Sequence, residues 1–263
     1  GWEALEAERM QDAPKIWLTV KDSYGNVVRR IEGPVAKGFH RVAWDLRYPA
    51  PDAIDLEPAP PPMFGGPSQG LMAAPGTYTV SLSRQVDGEI IELSKPQQFE
   101  VAPLREGALK GADPAAVAAF WRQYESAVHQ ASILQKSLGN ALKKTKAMEK
   151  ALSQSTTAPG ELDKRLHQLR QGLLALDVEM NGNRSKQEPG ELDTPSVGGR
   201  LFAVSRGIDH STYGPTETTK MSLEIANKQM QSIEGKLSTL LGQSANLLND
   251  MIKAGAPWVE GEM

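Results

Sequence analysis

Cysteine is absent from this 263-residue chain, which removes disulfides, thiolate metal sites and cysteine nucleophiles together. The absence leaves the compartment open. Histidines number four, and His40, His129, His167 and His210 are scattered without an i, i+4 pair or any other ligand spacing. No metal and no cofactor is therefore expected. An excess of one charge is missing too: 29 basic residues against 32 acidic ones leave a net −3, with both signs interspersed. That balance excludes the electrostatic footprint of a nucleic-acid or anionic-lipid partner. No apolar run approaches the roughly 20 residues that span a bilayer, and no charged-then-apolar leader opens the chain. The opening Gly1-Trp2-Glu3, without Met, is what a fragment of a longer protein would show.

What is present falls into two halves of different kind, long enough for two ordinary domains. Up to about residue 103 the chain carries most of the prolines, the Thr/Val/Tyr alternations and the turn residues; beyond it Leu, Ala, Gln, Lys and Met dominate. The division expected is a lead-in over 1–14, a β domain over 15–104, a helical domain over 113–255 and a tail over 256–263.

In the first half Ile16, Leu18 and Val20 alternate with Trp17 and Thr19, and Asp22-Ser23-Tyr24-Gly25-Asn26 supplies a tight connection to Val27–Ile31. Phe39–Leu46 reads as a strand with Val42, Trp44 and Leu46 on one face. Tyr78, Val80 and Leu82 repeat the pattern, and Ile90, Ile91 and Leu93 with Phe99 and Val101 read as a second hairpin around Asp87-Gly88. Each strand has one apolar face, so two sheets covering one another are expected, with five or six strands, and residues 1–14 leave open whether a further edge strand precedes them. Residues 49–75 are dense in proline and glycine and read as a long loop, because proline lacks the ladder donor. A loop of that length calls for a functional explanation.

The second half carries the clearest periodicity. Leu223, Ala226, Met230, Ile233, Leu237, Leu240, Ser244, Leu247 and Met251 alternate spacings of three and four with one polar interruption. Leu162, Leu166, Leu169, Leu173, Leu176 and Met180 do the same. Trp121, Tyr124, Val128, Ala131, Leu134, Leu138, Leu142, Thr145, Met148 and Leu152 approximate it. Asp113-Pro114 is a helix start, with Asp as cap and Pro at the first helical position. Helices are expected at about 114–155, 160–182, 200–209 and 216–254. At 1.5 Å per residue the first and last are about 60 Å long and the second only about 35 Å. An elongated antiparallel three-helix, coiled-coil-like bundle follows, its broken middle leg completed around Arg200–Ile208 by Leu201, Phe202, Val204 and Ile208. That completion favours a monomer over a dimer.

Three stretches in the first half carry a resemblance. Asp22-x-x-Gly25-Asn26-Val27-Val28-Arg29, then Gly38-x-His40-Arg41-Val42-x-Trp44-Asp45-Leu46-Arg47-Tyr48, then Pro75-Gly76-Thr77-Tyr78-Thr79-Val80 resemble the C-terminal region of bacterial sortilin-type, BNR-repeat β-propeller proteins, often labelled glycosyl hydrolases. The resemblance implies an immunoglobulin-like β-sandwich, similar to that of the flagellar hook-capping protein, followed by coiled helices. It also implies a propeller N-terminal to this chain as its main partner, and a periplasmic, extracellular or cell-surface location. No propeller lies within these residues, so the hydrolase label does not transfer to them. Residues 1–14, acidic and Ala-rich, depart from the extended lead-in strand the family would have.

Catalytic signals are thin. Gly66-Pro67-Ser68-Gln69-Gly70 matches the G-x-S-x-G expression but sits in the proline-rich loop, without the strand and helix a nucleophile elbow requires. Asp209-His210-Ser211 has triad residue types side by side, whereas a triad is assembled in space. Asn183-Arg184-Ser185 is a formal glycosylation sequon, meaningful only in a eukaryotic secreted chain. Trp44 with Asp45 could stack and bond a sugar, but Trp44 shares its face with Val42 and Leu46 and reads as core. Arg47 and Tyr48 are better placed for a surface role. No catalytic, cofactor or metal residue is assigned, and no binding residue is identified. Three functions remain: a non-catalytic accessory module for spacing, assembly or protein–protein contact; a carbohydrate- or peptide-binding module using the proline-rich loop; and, least supported by the residues, a glycoside hydrolase.

Overall fold

A computed structural model describes residues 1–54, 69–104, 111–209 and 214–257. Among them, 1–50 and 69–119 belong to one compact unit and 51–54 and 120–257 to another, the boundary falling within the first turns of a long helix. The chain is mixed: one small antiparallel sheet and several helices.

The chain opens on a helix, α1 (Trp2–Arg9), with no buried residue, where the family would have an extended strand. Glu, Ala and Leu are straight-chain or small helix formers, and Glu6 pairs with Arg9 one turn later. Those local preferences decide the segment, because among the described residues no strand pairs with it.

β1 (Lys15–Lys21) and β2 (Val27–Gly33) form the first hairpin. Its connection is built on Asp22, whose carboxylate accepts from the N–H groups of Tyr24 and Asn26 at 3.0 and 2.9 Å, while Gly25 takes a φ of +83°. β3 (Gly76–Val86) pairs along the whole of β1, and its far edge is shared by two short strands. β4 (Glu89–Glu92) pairs with Ser83–Val86 and β5 (Gln97–Val101) with Gly76–Val80. The two-residue turn Asp87-Gly88 joins β3 to β4, both residues at positive φ (+48° and +82°), the geometry a tight hairpin requires. β5 therefore does not complete a hairpin with β4; it lies beside the other end of β3.

Among the described residues there is one sheet rather than two facing sheets. The segment 39–46, expected as a strand, forms none. It makes local bonds instead: the Asp45 carboxylate accepts from the Arg47 N–H at 3.0 Å, and the Trp44 indole N–H donates to the Arg47 carbonyl at 3.0 Å. Leu46 takes a φ of +59°, which turns the chain and ends any run. Only a single bridge, Arg47 with Met72, remains of a ladder, flanked by the Ala73 N–H to Leu46 carbonyl bond at 2.7 Å. The period of two survives without the ladder. Val42, Trp44 and Leu46 are each half-buried, while Arg41, Ala43 and Asp45 are exposed.

The core of this unit is small. Val20, Val28, Ala73 and Tyr78 are buried, with Ile31, Trp44, Tyr48, Val80, Phe99 and Val101 packed around them. Trp44 meets Tyr78 edge-on at 5.6 Å and Phe99 at 6.1 Å, and Tyr78 stacks on Phe99 at 6.0 Å. Tyr78 buries its ring and satisfies its hydroxyl by donating to the Ala74 carbonyl at 2.7 Å.

In the second unit the long helices are α2 (Pro114–Ser153), α3 (Glu161–Asn181) and α6 (Glu217–Lys253), with the short α4 (Arg184–Gln187) and α5 (Val197–Asp209) between the last two. Two starts are capped by side chains: Asp113, as expected, accepts from the Ala116 N–H at 3.2 Å with Pro114 at the first helical position, and Thr216 accepts from the Thr219 N–H at 3.2 Å. On α6 the expected seam is buried at every position except Leu240, which packs half-buried against the core. Its polar member, Ser244, faces Met148 of α2 with oxygen and sulfur 3.9 Å apart.

The α2 seam is displaced by one residue at four places, the last being Ala151, buried in place of the half-buried Leu152. Phe120, Ala127 and Ala141 are buried, while Trp121, Val128 and Leu142 are half-buried beside them. The spacing 120, 124, 127, 131, 134, 138, 141, 145, 148 keeps the three-four alternation, so geometry selects the alanines and places the larger side chains at the rim. Thr145, fully buried, donates its hydroxyl to the Leu142 carbonyl at 2.8 Å.

α3 and α5 each pack on α6 and also meet one another. Between them Gly182 ends α3 at a φ of +88°, and Asn183 caps α4 by accepting from the Ser185 N–H at 3.0 Å. Lys186 reaches Asp193 at 2.9 Å; with the Thr194 N–H it holds that carboxyl below the usual carboxylate range. In α5 Val197, Leu201, Val204 and Ile208 are buried, but Phe202 is 62% exposed and contributes nothing to the gap it was expected to help fill.

Separate expression of residues 1–104 and 113–257 is expected to give two cooperative thermal transitions, since each unit has its own core. Loss of cooperativity in both pieces would show that neither core suffices alone.

Candidate functional site

The chemistry-bearing residues of the sequence are dispersed, and most meet backbone rather than one another. His40 places Nε2 2.6 Å from the Ala36 carbonyl, His129 places Nδ1 2.9 Å from the Pro51 carbonyl, and His167 lies on the exposed face of α3. The Pro51 contact has a companion, the Ala53 N–H donating to the Ser132 hydroxyl at 2.8 Å, so the first residues of the proline-rich segment are held against α2. Of the G-x-S-x-G match, Gly66, Pro67 and Ser68 lie outside the described residues. Gly70 is buried where an added Cβ would collide with the Tyr48 and Pro49 carbonyl oxygens, and its own carbonyl accepts from Arg47 Nη1 at 2.9 Å. Its glycine requirement is thus one of packing. His210 and Ser211 also lie outside the described residues, and Asp209 is the last residue of α5.

Trp44 and Asp45 do not form a surface pair. The indole sits in the aromatic cluster and the carboxylate closes the turn beneath it. Arg47 and Tyr48 are both half-buried, the former committed to the Gly70 carbonyl and the latter packed against the core. Among the described residues no three His, Cys, Asp or Glu side chains are grouped to hold a metal ion. No described helix is long and apolar enough to cross a membrane.

Glu125 of α2 stands out electrostatically, because burial pushes its carboxyl above the usual carboxylate range. A carboxyl raised in the folded state favours folding below its unfolded pKa, and that contribution is lost as pH rises through the folded value. Among the described residues no hydrogen bond or ion pair to it accounts for the shift, whose cause is the half-burial of the side chain.

Two surface features of the sheet were not visible as such in the sequence. On the polar face the Trp17 indole donates to the Gln85 side-chain carbonyl at 2.7 Å, with the Arg30 guanidinium 4.3 Å and the Lys15 ammonium 5.9 Å from the ring. The ring is already engaged by its own strand neighbours, which suits a cross-strand cation–π cluster. At the β3–β4 hairpin an open cavity of about 390 Å³ is lined by Arg84, Val86, Asp87, Glu89 and Ile91. Every residue of β4 is exposed, including Ile90 at 61% and Ile91 at 44%, with Leu93 at 48% just beyond. The signal was there in Glu89-Ile90-Ile91-Glu92, whose apolar pair breaks the period of two that one-sided burial demands. That exposed strand is the candidate interaction surface. Against protein-family models, curated proteins and solved structures alike, the chain finds no match.

Proposed function

We propose that this chain is a non-catalytic accessory module of a larger exported β-propeller protein, acting in domain spacing, assembly or protein–protein contact. The sheet with its irregular cover is taken as a reduced immunoglobulin-like sandwich, in which Val42, Trp44 and Leu46 stand in for a facing strand. The helical unit is taken as an elongated antiparallel three-helix bundle whose middle leg is divided between α3 and α5. A periplasmic, extracellular or cell-surface location follows from the same family resemblance.

The observation that carries the reading is the continuity of the helical seam. From Phe120 to Ala151 on α2 and from Thr219 to Met251 on α6, the buried positions are apolar apart from three small hydroxyl residues, Thr145, Thr219 and Ser244. Helices of 40 and 37 residues are about 60 and 56 Å long at 1.5 Å per residue. Side chains packed in this way set a distance and a stiffness; they do not converge on a substrate.

The test is enzymatic. Purified chain assayed on chromogenic glycosides and esters is expected to show no turnover, and Ser68→Ala or His210→Ala should alter neither this nor the melting temperature. A reproducible turnover abolished by either substitution would overturn the accessory reading in favour of a hydrolase.

A further inference from the structure

β4 is bonded on one side only, and its pattern of exposed groups matches itself. The Leu93 N–H donates to the Leu82 carbonyl at 2.8 Å, and Ser83, Arg84, Gln85 and Val86 stand opposite Glu92, Ile91, Ile90 and Glu89. Bonded and non-bonded pairs alternate along an antiparallel ladder. Glu89 and Ile91 therefore turn their backbone groups toward β3, while Ile90 and Glu92 turn theirs outward. Among the described residues no strand pairs with that outer edge. Ile91 lies on the apolar face of the sheet with Arg84 and Ile16, and Ile90 lies on the polar face with Gln85.

We propose that β4 is a homodimerisation edge, at which a second copy of this chain adds its own β4 antiparallel across a two-fold axis at Ile91. Backbone phase, side-chain faces and charge all select this register. Ile91 meets Ile91 of the second copy as a close non-bonded pair on the apolar face. Ile90 and Glu92 of the second copy exchange both backbone hydrogen bonds, and the two-fold repeats the exchange, giving four bonds from the four outward donors. Each Glu92 side chain then stands opposite an isoleucine, and each Glu89 opposite Leu93. Sliding one strand by a single residue in either direction would put the apolar face of one sheet beside the polar face of the other, and in one direction would also oppose Glu89 with Glu92 of the second copy, both unfavourable. A two-fold contact consumes both edges and closes, whereas the same exposed isoleucines left open would template further strands. The contact is strand addition of the general kind that recognises an exposed sheet edge. It is independent of the accessory reading, and it leaves the helical unit, whose gap α5 fills, without need of a second copy.

The chain has no cysteine, so Ile91→Cys introduces its only thiol. A close antiparallel pair sets the two Cα atoms about 4.5 Å apart, within the roughly 4.4–6.8 Å that a disulfide spans. Mild oxidation of the full chain is expected to convert Ile91→Cys to a covalent dimer, while Arg30→Cys, at an exposed position of β2, stays monomeric over the same time. Sedimentation of the unmodified chain should show its 28.5 kDa mass doubling with concentration and rising no further. Ile90→Pro removes an outward N–H without touching the β3 ladder, so it should abolish the doubling with little change in melting temperature. Cross-linking of Ile91→Cys no faster than Arg30→Cys, a single-chain mass at every concentration, or a dimer that survives Ile90→Pro would each overturn the proposal.

Discussion

Replacing Trp44 by alanine is expected to destabilise the sheet unit by about 3 kcal/mol, at the lower end of buried aromatic truncations because the ring is half-buried. Three losses combine. The two edge-on contacts with Tyr78 and Phe99 disappear, the indole N–H to Arg47 carbonyl bond goes with them, and the cover over the apolar face loses its largest side chain. A unit with only four buried hydrophobic core residues has little reserve, so a change of this size approaches its total stability. Trp44→Phe keeps an aromatic contact and gives up the hydrogen bond, a loss of about 1 kcal/mol. Thermal and denaturant melts of residues 1–104 measure both. Trp17→Ala, on the polar face, is the control and should cost clearly less; equal losses at the two tryptophans would mean the aromatic cluster is not the core.

Leu201→Ser is expected to cost the helical unit about 2–5 kcal/mol, as for a core leucine truncation, while Phe202→Ser should cost less than about 1 kcal/mol. The neighbours differ only in the direction they face. Leu201 is 7% exposed in the α5 surface packed on α6, and Phe202 is 62% exposed with Arg206 5.8 Å from its ring. Urea unfolding of residues 113–257 followed by circular dichroism separates them. If Phe202→Ser is the more damaging change, α5 packs by a different face.

The α6 seam was legible because a strict three-four alternation over 29 residues from Leu223 to Met251 admits one helical face and no other. The cap at Thr216 emerged only from the structure, whereas the start at Asp113 was legible because capping is local chemistry. The same holds for the Asp22–Asn26 and Asp87-Gly88 connections, where side-chain acceptors and positive φ angles decide the turn. On α2 the pattern was degenerate: Phe120 beside Trp121 and Ala141 beside Leu142 offer two adjoining faces, and hydrophobicity favours the larger residue of each pair. Packing chose by angle instead.

The strand expected at 39–46 shows the opposite limit. Alternation reports which side chains are sheltered, and Val42, Trp44 and Leu46 are each half-buried with Trp44 packed on the core, but it says nothing about whether a neighbouring backbone is there to complete a ladder. Asp45, with Leu46 in the left-handed region, resolved that locally. As for a site, the histidines, the Ser68 motif and the Asp209-His210-Ser211 run were residue types without geometry: His40 and His129 meet backbone carbonyls, and His167 is exposed on α3.

The sequence by itself determined the two compositional halves, the four principal helices, the hairpin turns and the balanced charge, all of which rest on contacts between residues near in the chain. The tertiary structure alone decided that the strands join in one sheet, that β4 and β5 share an edge of β3, that alanines centre the α2 seam, and that Ile90 and Ile91 lie in the open. Those outcomes depend on pairings across tens of residues, where many partners offer similar apolar area and only the simultaneous fit of backbone bonds, volumes and faces selects one.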